Sequence, residues 1–60
     1  MTEEVRDAIM KVRASGRSNM LDARTVQYIA NEMGLYELVV YIEEHKHEYA
    51  NFILTGREDG

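Results

Sequence analysis

Leu35-Tyr36-Glu37-Leu38-Val39-Val40-Tyr41-Ile42-Glu43-Glu44-His45-Lys46-His47-Glu48-Tyr49-Ala50-Asn51-Phe52-Ile53-Leu54 belongs to the longest stretch of the chain without a glycine, and its spacing decides the fold. Leu35, Leu38, Ile42, His45, Tyr49 and Phe52 recur in steps of three and four, with Ile53 beside them. That is a heptad-like helical stripe. Val39 to Ile42 is rich in β-branched residues and would also suit a strand, but Glu43 to Glu48 continues without a breaker. The expectation is one long helix from about Tyr36 to Leu54, with a break near His45 to His47 as the alternative.

Working outward, glycine divides the rest of the chain, which has no proline. Gly34 closes a second helix, about 22–33, that starts at the capping residue Asp22 and carries Val26, Ile29, Ala30 and Met33 on one face. Met20 and Leu21, just before the cap, read as core through a hydrophobic staple. Gly16 ends a first helix, about 3–15, capped by Thr2, with Glu3 and Glu4 complementing the positive end of its dipole and Val5, Ala8, Ile9 and Val12 on one face. The prediction is an all-α, three-helix module as a single domain over 1–56, with residues 57–60 a frayed acidic tail.

Sixty residues is near the lower limit for independent folding, because so short a chain buries only about 60% of its unfolded surface. Apolar residues make up 45% and charged ones 30%, too apolar a mixture for disorder. Without cysteine there is neither a disulfide framework nor a thiolate zinc site, so stability must come from helix packing or association. The charged N-terminus is no secretory signal, and Leu38 to Ile42, the longest apolar run, cannot span a membrane. The chain is expected to be cytoplasmic.

The net charge of −4 is unevenly spread. Residues 1–24 carry five basic against four acidic side chains, whereas residues 25–60 carry two against seven. The acidic part would repel a polyphosphate backbone.

Thr25 to Val40 has the spacing of a helix-turn-helix motif. Ala30 and Gly34 are four apart, and Ile29, Leu35 and Val40 fall at its apolar positions. The supposed recognition helix, however, presents Tyr36, Glu37, Tyr41, Glu43 and Glu44 and has no Arg, Lys, Asn or Gln before Lys46 to read base edges. The motif is therefore expected to describe how helices two and three pack. DNA binding remains the alternative function, with Arg17 and Arg24 as candidate phosphate contacts.

Metal and catalytic sites are not expected. His45 and His47 lie about 200° apart on a helix and cannot converge on one ion. Ser15 and Ser18 have no histidine near them in sequence, and the adjacent pairs Glu3-Glu4 and Glu43-Glu44 point apart. No cofactor or small-molecule ligand is implied.

The most informative surplus is apolar. With Leu38 and Ile42 facing inward, Tyr36 and Val40 face outward, with Val39 and Tyr41 on the flanks, and a chain this small cannot cover both faces. Tyr28, Tyr36, Val39, Val40 and Tyr41 are the candidate protein interface, and Glu37, Glu43, Glu44 and Glu48 a candidate acidic patch. The expected function is a non-enzymatic interaction or regulatory module that self-associates through helix three as a homodimer. A host protein's basic surface is a further expected partner.

Asn19-Met20-Leu21-Asp22, Val26-Gln27, Tyr36-Glu37-Leu38-Val39 with Ile42-Glu43, and Tyr49 with Phe52-Ile53-Leu54-Thr55-Gly56 give the chain a resemblance over about residues 3–57. It resembles a family of short uncharacterised proteins from phages and prophages of Firmicutes, a domain of unknown function. The resemblance implies a mobile-element origin in a bacterial host cell. Core, caps and turns account for most of these residues, which leaves Gln27, Tyr36 and Glu37 for an interface.

Overall fold

A computed structural model describes residues 1–56; the expected tail at 57–60 lies outside the described residues. The described residues form four helices: α1 (Glu3–Ser15), α2 (Ala23–Glu32), α3 (Tyr36–Glu44) and α4 (Lys46–Thr55). The all-α class and the close packing of α2 on α3 are as expected, and α3 also packs on α1.

The count of three helices is corrected to four, because the long third segment breaks at His45, where φ is −135° and ψ 51°. The reason is length. A straight helix over 36–54 would run about 28 Å, against about 20 Å for α1 and about 15 Å for α2, so its end would project past the core. Breaking at His45 turns α4 back, which buries Tyr49 to 1% exposure and brings its hydroxyl to donate to the Met20 carbonyl at 2.6 Å. His45 serves both helices, since its N–H donates to Tyr41 O at 2.7 Å and its carbonyl accepts from Tyr49 N–H at 2.9 Å.

The first two helices follow the sequence closely. Thr2 Oγ1 accepts from the Val5 N–H at 3.2 Å, and Val5, Ala8, Ile9 and Val12 are buried. Asp22 caps α2 by accepting from the Thr25 amide at 3.3 Å and the Thr25 hydroxyl at 2.8 Å, and these two bonds hold its carboxyl below the ordinary range. Gly34, at φ 76°, lies in the left-handed region needed to end α2. There Leu35 N–H donates to Ala30 O and Gly34 N–H to Asn31 O, the paired bonds of a Schellman turn.

Two core assignments are corrected. Met33 is 40% exposed because α2 ends at Glu32 and the chain turns away. Leu21 is 49% exposed; Met20 alone of that pair packs against the core.

Gln27, which had no structural role in the sequence, joins α2 to α3. Its Nε2 donates to the Val39 carbonyl at 3.0 Å and to Glu43 Oε2 at 3.1 Å. Gln27→Ala is expected to cost about 1 kcal/mol, read as a fall in Tm of about 4–8 °C for a domain of this size. Gln27→Glu is expected to cost more, since a carboxylate would then face both a carbonyl and Glu43. Equal Tm values for wild type and both variants would remove the clamp from the account.

Candidate protein-interaction groove

An open groove of about 460 Å³ lies where the start of α1 meets the outer face of α3. Thr2 and Val5 line one side; Tyr36, Glu37, Val40, Tyr41 and Glu44 line the other, with His45 at the end. The α3 residues share one face because they stand three and four apart while Leu38 and Ile42, fully buried, hold the opposite face in the core. Tyr36 is 61% and Val40 54% exposed, so the groove presents large apolar surface to solvent. Tyr41 closes it with its ring 5.2 Å from that of His45.

The candidate interface residues divide. Tyr36, Val40 and Tyr41 line the groove, whereas Val39 is half-buried and turns its carbonyl to Gln27. Tyr28 is exposed on α2 and is not among the residues that line the groove. Periodicity placed Tyr28 outside the core but could not tell which neighbour its face meets.

The acidic patch divides too. Glu37 and Glu44, seven residues apart, line the groove. Glu43 is taken by Gln27, and Glu48 lies on α4 with Oε1 3.9 Å from His45 Nδ1. Neither Glu37 nor Glu44 has a hydrogen-bond or ion-pair partner among the described residues.

Of the candidate phosphate contacts, Arg17 is engaged: its Nη2 sits 2.6 Å from Glu32 Oε1. That bond, with the Tyr28 hydroxyl, holds the Glu32 carboxyl below its ordinary range. Arg24 is exposed in the first turn of α2 and its charge contributes to lowering the pKa of Asp22. A phosphate on this side would have to displace Glu32 from Arg17 and approach the Asp22 carboxylate.

Among the described residues, no group of three or more His, Cys, Asp or Glu could hold a metal ion, and no helix is long and apolar enough to cross a membrane. No curated protein and no solved structure matches the chain. One family matches over residues 1–57, nearly the whole length, and the chain belongs to it: the domain of unknown function DUF5049.

Proposed function

We propose that the protein is a non-enzymatic interaction module whose contact surface is the groove between the start of α1 and α3. The proposal includes a phage or prophage origin and a place of work in the cytoplasm of a bacterial host cell. The observation that carries the interaction reading is the exposure of Tyr36 and Val40, one turn apart on a helix whose other face is already filled by Leu38 and Ile42. Exposed apolar surface of this kind costs solubility and gives the isolated fold nothing, whereas tyrosine is enriched where proteins meet.

Val40→Ser together with Tyr36→Ser is the test. Because both side chains are exposed, the double variant should keep its thermal stability within about 0.5 kcal/mol of wild type. Binding through the groove should be lost. A large fall in Tm in dilute protein would mean that the two side chains serve the fold, and the reading would fail.

The expected homodimer through α3 is a second reading of the same surface, favoured by a core too small to cover both faces of α3. Symmetric pairing across the groove would bring Glu37 and Glu44 of one copy towards those of the other, a like-charge approach that weakens association. Such a dimer should therefore tighten as salt is raised. Sedimentation velocity at micromolar concentration in low and high salt would reveal it.

A further inference from the structure

We infer that the groove takes an amphipathic helix whose apolar face is flanked by lysine or arginine. The inference rests on the reading of the groove as a contact surface and names its occupant. Shape and charge together select this occupant. A trough between two helices, apolar along its floor at Val5 and Val40, is the setting in which a third helix lays down its own apolar stripe. Its acids lie at two positions on one face: Glu37 and Glu44 are seven residues apart on α3, about 10.5 Å along its axis. Both are without a partner among the described residues, and Val40 stands between them.

A helix aligned with α3 places its own residues seven apart at the same spacing. Two cations at that separation, with an apolar anchor one turn inside, would meet both carboxylates while the anchor contacts Val40 and Tyr36. The chain carries −4 overall, so a basic partner is also steered from a distance. A second copy does carry cations seven apart, Arg6 and Arg13 on α1, but the apolar face of that helix, Val5, Ala8, Ile9 and Val12, is already buried in its own core and has no stripe to lay down.

The experiment uses the full chain and two synthetic helical peptides of about 15 residues, each with leucines four apart. One carries lysines seven apart beside the leucines; the other carries glutamates there. By fluorescence polarisation at low salt, the lysine peptide should bind at least about tenfold more tightly than the glutamate peptide, and salt should erode the difference. The double variant Glu37→Lys/Glu44→Lys should reverse the preference, and the neutral Val40→Ser should weaken binding of the lysine peptide. Equal binding of both peptides, lost in Val40→Ser, overturns the basic occupant and leaves the groove as the contact surface. Binding of the lysine peptide that Val40→Ser does not touch overturns the groove as well. Failure of the lysine peptide to bind, or a homodimer that Val40→Ser dissolves and that excludes the peptide, also overturns the inference.

Discussion

Leu38→Ala is expected to leave the protein largely unfolded at room temperature. Leu38 is fully buried on α3, in the cluster that joins α1, α2 and α4. Truncating a buried leucine costs about 2–5 kcal/mol, the transfer term plus the cavity that neighbours fail to fill. A single core in a chain of this size rarely supplies more than about 3–5 kcal/mol in total, so the loss is comparable to the whole stability. Leu38→Met keeps most of the volume and should cost less than about 1.5 kcal/mol. Urea titration followed by far-ultraviolet circular dichroism separates the pair. A Leu38→Ala protein with a cooperative transition near the wild-type midpoint would contradict the packing described.

Tyr49→Phe is expected to destabilise by about 1–3 kcal/mol, because it leaves the Met20 carbonyl without its donor while keeping the ring in place. A second readout is specific to the hydroxyl. Burial pushes the Tyr49 phenol up to about 12 from an ordinary value of 10.0. Below pH 10 the phenol is protonated in both the folded and the unfolded chain, and its contribution is fully present. As pH rises from 10 towards 12 the unfolded chain loses the proton first, which favours unfolding, so stability falls across that window by something on the order of 2–3 kcal/mol. Tyr49→Phe has no such proton to lose. Its stability curve should converge on the wild-type curve at high pH, with Tyr28, Tyr36 and Tyr41 present in both proteins. Parallel curves from pH 8 to 12 would show that the buried hydroxyl is not what titrates.

The elements that read clearly in the sequence are those fixed by local chemistry. Thr2 and Asp22 cap helices because a side-chain oxygen near a free amide needs no distant partner. Gly16 and Gly34 end helices because each sits at positive φ. What did not read clearly depends on neighbours. Around His45 the local charges argue for continuity: a break leaves Glu43 and Glu44 at a helix C-terminus and Lys46 at an N-terminus, both unfavourable ends for those charges. It occurs because Tyr49 and Met20, far apart in sequence, gain more by meeting. Gln27 gave no signal either, since a polar residue on the edge of an apolar stripe looks the same whether it faces water or the backbone of another helix. Tyr36 and Val40 were legible as outward-facing from the period of α3 alone. The groove needed the start of α1 as its second wall, and that pairing is a tertiary fact.

The break at His45 also sets where native-state opening can begin. Helix α4 contributes one fully buried side chain, Tyr49, while α1 contributes four. At its start, neither His45 nor any other side chain caps it. Fluctuations that lift α4 alone therefore disrupt less of the core than those that separate α1, α2 and α3, and cost less than global unfolding. Amide exchange in α4 is therefore expected to run ahead of exchange in α1, α2 and α3, with the groove between α1 and α3 still in place.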